Sequence, residues 1–345
     1  MGIWYTTRED VMSAQDIKAS AYTARDIDRA IESGARACDD LLHVQTFAPT
    51  IGTRYFDYPG PTVASVRLYL DEHPLISLTT LTSGGTAISA SDYLLEPVNA
   101  GPPYRRIELN RGTSGYWQGG STSQRAIAVA GVWGWTDDAE TVGTTAEALD
   151  TVETGVDCAA IPGVGVGSLI RIDTERMVVV DKGWLATADT SVSLASGNSV
   201  QTLAVTSGAA YTTGETLLID AERLRIVDVA GNNLTVRRAV DGTTLAAHAA
   251  APVYAQRTLT VTRAALGTTA ATHSTSATVT RWVPPALLSE LNLAYAVNNL
   301  LQRQSGYART SGTGDNQREA SGRGIREIER DAKSGLGRTM RTAAV

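Results

Sequence analysis

The amino-acid sequence predicts an α+β fold, in which a helical core with a small β-sheet is interrupted by a long β-rich insertion. Helical periodicity occurs near both ends of the 345-residue chain, strand periodicity follows the first helices, and a repeated β pattern occupies the middle. The predicted units are residues 1–136, the N-terminal part of the core; residues 137–281, the insertion; and residues 282–345, the C-terminal helix and a basic tail.

Two helices are predicted before the first strand. Thr6 or Thr7 is a suitable N-cap for a short helix that carries acidic residues in its first turn. Thr23 is a suitable N-cap for a longer one. Apolar residues then recur at a spacing of three to four, namely Ile27, Ile31, Ala35, Cys38 and Leu42. This spacing predicts one buried face on an amphipathic helix.

After the second helix the hydrophobic period changes to two, which predicts β-strands. Breakers rich in Gly and Pro separate these strands, which comprise residues 54–59, 65–70, 75–82, 104–109 and 125–135. A helix is predicted again after Pro284 and Pro285, because proline suits a first helical turn. Its predicted buried face comprises Leu287, Leu291, Ala294, Val297 and Leu301. A last short helix is predicted over residues 325–332.

The insertion contains a nested repeat. Residues 167–181 resemble residues 214–228, and residues 234–248 resemble residues 259–273, at a different offset. Unequal offsets exclude a plain tandem array. The repeat therefore predicts one small β module, the inner copy at about residues 200–257, inserted into an outer copy of the same kind. A strand swap between two modules is the competing geometry.

The repeat also duplicates residue types that can bind metal ions. Paired acids occur at Asp173-x-Glu175 and Asp220-x-Glu222, and His248 and His273 recur after Gly-Thr-Thr, where they are interpreted as parts of a structural turn. Calcium takes about six to eight oxygen ligands and zinc would need more ligands at a suitable spacing. The acidic pairs are therefore expected on solvated strand faces, paired with Arg176 or Arg223. Whether they bind a cation stays open, and no metal or cofactor is assigned.

Nothing in the sequence supports catalysis. GTSGYWQGG (residues 112–120) lacks the strand–turn–helix setting of a nucleophile elbow. GVGVG (residues 163–167) lacks the Lys-Ser/Thr pair of a phosphate loop and is interpreted as a turn. A net charge of −6 provides no electrostatic footprint for tight nucleic-acid binding. The expectation is a protein that is not an enzyme and, for lack of a long apolar run, not a membrane protein.

The C-terminal segment differs from the acidic average of the chain. Between residues 303 and 341 its basic residues are Arg303, Arg309, Arg318, Arg323, Arg326, Arg330, Lys333, Arg338 and Arg341. One interpretation is a solvated, partly disordered tail. The other is a segment that becomes ordered when it docks on an acidic partner surface.

Several segments resemble the head-to-tail connector (adaptor) proteins of long-tailed double-stranded DNA bacteriophages. They are DIDRAIESGARACDDLL (26–42), TRYFDYPG (53–60), VRLYLDEHPLISLTTLTSGGTAISASDYLLEP (66–97), RRIELNR (105–111), VAGVWGW (129–135) and VPPALLSELNLAYAVNNLLQRQ (283–304). The resemblance covers roughly the first 136 and last 60 residues in the family's order. The insertion is its main departure, because the last helix normally follows soon after the last strand.

The resemblance implies a structural virion protein of the phage neck. Its copies would form a ring, expected to be twelvefold, that binds the portal protein and the next neck or tail protein and passes DNA as transiting cargo. It would assemble in the host cytoplasm, and the basic C-terminal residues would dock on the portal. The alternative is a surface-exposed β-rich binding module, for carbohydrate or a tail component, anchored by a helical part. The insertion has few aromatic residues, namely Trp184, Tyr211, Tyr254 and, at its edge, Trp282, which favours the connector.

Overall fold

The computed structural model contains two compact units, each built from several stretches of the chain. The helix-and-module unit comprises Met1–Arg36, Ala139–Trp282 and Ser289–Ile328. The sandwich unit comprises Ala37–Asp138, Val283–Leu288 and Glu329–Val345. The residues described are 2–14, 22–45, 47–58, 66–191, 193–304, 310–311, 318–319 and 323–337. Both units therefore draw on sequence that lies on either side of the insertion.

β-Structure dominates the chain, so the predicted helical core with a small β-sheet is wrong. Strands contain 37% of the residues and helices contain 22%. The largest sheet has ten strands. Periodicity marks each strand separately, whereas hydrogen bonds between strands of both repeat copies join them into one sheet. The prediction is corrected to a fold of large antiparallel sheets with four helices in the described chain.

The helices are α1 (Arg8–Ala14), α2 (Ala24–Leu42), α3 (Ala286–Gln304) and α4 (Arg323–Leu336). Thr7 Oγ1 accepts a hydrogen bond from the N–H of Asp10 at 3.1 Å. Thr23 Oγ1 accepts one from the N–H of Asp26 at 3.2 Å. Both predicted N-caps are thus confirmed, and the predicted apolar face of α2 is buried. Within the described ranges, no helix is long and apolar enough to cross a membrane.

The buried face of α3 differs from the predicted one. Leu287 is only half-buried and Leu301 is 38% exposed, whereas Leu288 and Leu300 are buried. Apolar residues occur on nearly every side of this helix, so a period of 3.6 does not distinguish one face from another. Tertiary packing selects the face, and that face includes the fully buried Asn292.

Asn292 joins the N-terminal segment, α2 and α3 within the helix-and-module unit. Its Oδ1 accepts a hydrogen bond from the N–H of Tyr5 at 3.1 Å, and its Nδ2 donates to the carbonyl of Ile31 at 3.1 Å. The hydroxyl of Tyr22 donates to the carbonyl of Leu300 at 3.0 Å. These bonds link residues 261 to 287 positions apart. The two ends of the interrupted frame therefore share one polar contact in their core.

The helix-and-module unit holds the ten-stranded sheet. Its strands are β8 (Ala139–Thr144), β9 (Gly155–Asp157), β10 (Leu169–Ile172), β11 (Glu175–Thr190), β12 (Val200–Ala204), β13 (Thr216–Ile219), β14 (Glu222–Ala230), β15 (Asn233–Arg237), β16 (Pro252–Thr262) and β17 (Thr278–Trp282). The order is β12-β15-β14-β13-β16-β11-β10-β17-β8, and β9 also pairs with β16. The long strands β11 and β16 pair with each other, and β16 also pairs with β13 of the inner copy.

Each repeat copy has a hydrophobic core of its own. The core of the outer copy takes its residues from 142–179 and 259–279, and the core of the inner copy takes them from 194–255. The two halves of each copy therefore pack on one another. This is the geometry of a module inserted within a module and not of a strand swap.

The sandwich unit contains two smaller antiparallel sheets. Its strands are β1 (Thr50–Phe56), β2 (Arg67–Tyr69), β3 (Leu75–Ser83), β4 (Thr86–Ala87), β5 (Tyr93–Glu96), β6 (Arg106–Leu109) and β7 (Ile127–Trp133). The sheet orders are β1-β7-β3-β4 and β2-β6-β5. One core includes Leu81, Ile127 and Trp133 of the first sheet with Leu68 and Ile107 of the second.

A short pair of strands, β18 (Thr310–Ser311) with β19 (Arg318–Glu319), follows α3 in the helix-and-module unit.

Asn292→Ala should lower the free energy of unfolding by about 2–4 kcal/mol, because the buried N–H of Tyr5 and carbonyl of Ile31 would lose their partner. Urea denaturation followed by circular dichroism measures this change. Asn298→Ala, at a half-buried position of the same helix, is the matched control and should lower it by less than about 1 kcal/mol. Equal losses in the two variants would contradict the role given to Asn292.

Candidate functional site

A fully buried glutamate marks the outer repeat copy. Arg263 donates to Glu175 from Nε at 2.8 Å and from Nη2 at 2.7 Å, so the guanidinium binds the carboxylate at two points. His273 Nε2 lies 3.0 Å from Glu175 Oε2, and His273 Nδ1 lies 2.8 Å from Asp173 Oδ2. The N–H of Ala271 also donates to Glu175, at 2.9 Å. Asp173, Glu175, Arg263 and His273 are called the outer clamp.

The same geometry recurs in the inner repeat copy. Arg238 donates to Glu222 from Nε at 3.0 Å and from Nη2 at 2.6 Å. His248 Nε2 lies 2.8 Å from Glu222 Oε2, and His248 Nδ1 lies 2.7 Å from Asp220 Oδ2. The N–H of Ala246 donates to Glu222 at 3.1 Å. Asp220, Glu222, Arg238 and His248 are called the inner clamp.

Tight turns separate the two acidic residues of each clamp. Asp173 and Asp220 occupy these turns with φ of 51° and 52°, a left-handed conformation that aspartate tolerates better than most residues. Their side chains are 63% and 59% exposed, whereas those of Glu175 and Glu222 are 0% and 1% exposed. The two acids of each pair therefore do not share a solvated strand face.

The predicted ion-pair partners of the two glutamates are also wrong. Glu175 pairs with Arg263 instead of Arg176, and Glu222 pairs with Arg238 instead of Arg223. The partner in the outer clamp lies 88 residues further along the chain. Short-range strand periodicity contains no information about a contact between segments so far apart.

Hydrogen bonding keeps both buried glutamates ionised. Burial alone would raise the pKa of Glu175, but hydrogen bonds from Arg263 and from the N–H groups of Ala271 and Ala264 outweigh it and lower the pKa to about 2. Burial also acts to raise the pKa of Glu222, and the bonds from Arg238 and its other donors again lower it. At neutral pH neither glutamate can therefore act as a general acid.

The chemistry of the clamps is structural. Both ring nitrogens of His273 and of His248 face carboxylate oxygens, so neither histidine has a free nitrogen for a substrate or a metal ion. The glutamate oxygens are already occupied by arginine and backbone donors. Across the described residues, no group of three or more His, Cys, Asp and Glu side chains is arranged to hold a metal ion. Each clamp instead joins the start of a strand, by hydrogen bonds, to a segment that lies later in the chain and packs beside it.

The arginines of the clamps were missed as site residues, although the repeat contains a signal for them. Arg238 and Arg263 are equivalent in LTVRRAVDGTTLAAH and LTVTRAALGTTAATH. Apart from the histidines, they are the only ionisable residues that both copies of this segment share. A charge that both copies share, where their other charged residues differ, favours a buried partner of opposite sign.

Similarity to known proteins does not assign a function to these residues. No protein-family model, curated protein or solved structure matches the chain. The chemistry and placement of the residues themselves are therefore the basis for a functional proposal.

A cavity of about 280 Å³ opens in the sandwich unit, with Tyr69, Pro97 and Trp135 among its lining residues. The Arg105 guanidinium carbon lies 5.3 Å from the Trp135 ring centroid. The Phe47 ring lies 5.6 Å from the same indole. Because both side chains already contact the indole, Trp135 is a poor platform for stacking a sugar ring.

Six of the nine basic residues predicted to dock on the portal lie in the described part of the chain, on three different elements. Arg303, in the last turn of α3, forms an ion pair with Asp26 of α2 at 3.0 Å, so it belongs to the helical frame. Arg318 lies in β19 and Arg323 begins α4. Three of the nine lie outside the described residues, namely Arg309, Arg338 and Arg341.

The other three basic residues, Arg326, Arg330 and Lys333, are exposed on α4. Arg330 Nε lies 3.3 Å from its neighbour Asp331. The acidic residues of the same helix are Glu327, Glu329 and Asp331. The exposed side of α4 therefore carries charges of both signs, while Ala332 and Leu336 are buried.

The outer clamp should make the protein sensitive to acid. The folded-state pKa of Glu175, about 2, lies below its ordinary value of about 4.3. Its stabilisation is therefore fully present above about pH 4.3 and is lost as the pH falls towards the folded-state value. The free energy of unfolding should fall by about 3 kcal/mol over this pH range. Urea denaturation at a series of pH values measures this loss.

Glu175→Gln should be less stable at neutral pH and should lose less stability in acid than the wild type, because it lacks the group that titrates. Asp173→Asn, which changes the exposed acid of the same clamp, is the matched control and should keep most of the pH dependence. An equally steep loss in Glu175→Gln and in the wild type would contradict the assignment of this pH dependence to Glu175.

Proposed function

We propose that this chain is a structural virion protein of the neck of a long-tailed double-stranded DNA bacteriophage. Its copies form a ring, expected to be twelvefold, that joins the portal of the capsid to the tail and passes DNA through its lumen. Its partners are other copies, the portal protein and the next neck or tail protein. The protein assembles in the host cytoplasm and works without catalysis or cofactor.

The contact through Asn292 carries this proposal. The segments that resemble the connector family include α2 and α3, which the insertion separates in sequence. Asn292 of α3 binds Ile31 of α2 and Tyr5 of the N-terminal segment, so these segments belong to one frame. A continuous frame with an inserted module accords with a family in which the corresponding helix normally follows soon after the last strand.

The charge of the chain accords with a conduit for DNA. Tight binding to DNA depends on many basic contacts with phosphates, whereas the net charge of this chain is −6. An acidic wall repels the phosphate backbone weakly and lets it move. This property favours DNA as cargo over DNA as a bound ligand.

The placement of aromatic residues in the insertion disfavours the alternative of a carbohydrate-binding module. Tyr211 and Trp282 are buried and Tyr254 is half-buried. Trp184 lies under the guanidinium of Arg223, 5.6 Å from its carbon. A sugar site would need aromatic rings exposed together on one surface, and these four side chains do not provide one.

Electron microscopy of the full chain mixed with its portal tests the proposal. The expected result is a ring of this protein on the portal, coaxial with the portal channel. A chain that stays monomeric beside the portal, and never joins a ring at the neck, would refute the proposal.

Charge reversal on α4 tests the role of the basic segment. The triple variant Arg326→Glu, Arg330→Glu and Lys333→Glu should weaken portal binding about tenfold, because it replaces exposed positive charge by negative charge. Deleting the segment would be a poorer test, since α4 also buries Ala332 and Leu336. Surface plasmon resonance measures the affinity.

Arg111→Glu, which reverses an exposed charge far from α4 in sequence, is the control and should leave portal affinity within about twofold of the wild type. Circular dichroism should show the same helix content in all three proteins. Unchanged portal affinity in the triple variant would remove α4 from the docking surface.

A further inference from the structure

The four-stranded sheet of the sandwich unit has an outer face without charged residues. The strand register places its outward side chains in three rows, which are Ile51–Val132–Ser77, Thr53–Ala130–Thr80 and Tyr55–Ala128–Thr82–Ala87. Two large apolar side chains on this face are strongly exposed, Ile51 at 44% and Tyr55 at 61%. Both of these side chains belong to β1, and the remaining positions of the face are Val132 and small Ala, Ser and Thr side chains.

β1 forms an edge of this sheet. In the described chain it pairs with β7 on one side and with no strand on the other. Exposed edge strands are usually protected by lysine, proline or an inward-pointing charge. The only charged residue of β1, Arg54, lies on the core side, with Nη1 2.6 Å from His73 Nδ1 and its guanidinium over the Trp133 ring. Arg54 is thus an inward-pointing charge, but His73 and the Trp133 ring already engage its guanidinium within the same copy, so it opposes pairing at the open edge less than an unpartnered charge would.

The sequence of β1 is complementary to itself. We infer that β1 pairs antiparallel with β1 of a second copy, about a two-fold axis at Thr53. Ile51 then lies opposite Tyr55 of the second copy, and Thr53 lies opposite Thr53. Aromatic–β-branched and Thr–Thr pairs are favourable across strands. Arg54 lies opposite Gly52, so the one charge of the strand meets no like charge.

Other registers fit less well. A shift by one residue turns the uncharged face of one copy to the opposite side of the joint sheet. A shift by two residues in one direction places Arg54 opposite Arg54, and in the other direction places Gly52 opposite Gly52. Either shift by two also leaves the ends of both strands unpaired. The register centred on Thr53 pairs the whole strand and is the one inferred.

The inferred contact is a two-fold dimer that extends the sheet across two copies. Each copy uses the same surface, so the contact is isologous, unlike the head-to-tail contact that closes a ring. The dimer is thus a form of the free chain, and it does not depend on the proposed role in the phage neck. Because each copy carries a charge of −6, two copies approach with least repulsion at an edge strand such as β1, which contains no acidic residue.

Substitution of Gly52 tests the register. A Cβ at this position would meet no atom within 4 Å, and Gly52 is not among the glycines with positive φ, so lysine and glutamate should both fit the monomer. Gly52→Lys places a positive charge opposite Arg54 twice in each dimer, whereas Gly52→Glu places a negative charge there. The dimer dissociation constant should rise at least about tenfold for the lysine variant and stay equal or fall for the glutamate variant.

Sedimentation velocity of the full chain, from low micromolar to submillimolar concentration, measures these constants. Tyr55→Glu should also dissociate the dimer, whereas Val98→Glu, at a 64% exposed position outside the face, should retain it. A wild type that is monomeric throughout, or equal constants for the two Gly52 variants, would overturn the inference. Portal binding by the same variants tests the proposed neck function and not the dimer. The dimer inference can therefore fail while the neck proposal stands, and the reverse also holds.

Discussion

A carboxylate removed from water must be matched by donors, and this constraint determines how the two β modules close. Glu175 and Glu222 are almost fully buried, and an unpaired charge in such a place would be strongly destabilising. Each receives a two-point bond from an arginine, a contact from a histidine ring and backbone N–H groups. These donors come from the second half of each module, so a module is complete only when its returning segment is in place.

The long strands β11 and β16 connect the outer module to the inner one. They leave the outer copy together, and β16 also pairs with a strand of the inner copy, so both copies belong to one sheet. Their hydrophobic cores nevertheless share no residue. The insertion can thus be long without disturbing the frame, where Asn292 keeps the N-terminal segment, α2 and α3 together. Such an addition accords with the structural role proposed above.

Features that depend on neighbouring residues could be predicted from the sequence. The N-caps at Thr7 and Thr23 and the apolar face of α2 follow from spacing within one or two turns. The equivalence of His248 and His273 followed from the repeat. The buried face of α3 could not be predicted, because apolar residues surround that helix. Docking of the basic C-terminal residues on the portal stays a prediction.

The sequence alone determined the N-caps of α1 and α2, the apolar face of α2, and that two stretches of the insertion adopt the same structure, because these are local or repeated properties. Only the tertiary structure decided that the chain is dominated by β-sheet, that Arg263 and Arg238 neutralise the buried glutamates, and that Asn292 joins the frame. The reason is physical. Strand pairing, buried ion pairs and the hydrogen bonds of Asn292 join residues up to 287 positions apart, and such contacts leave no periodic pattern in the sequence.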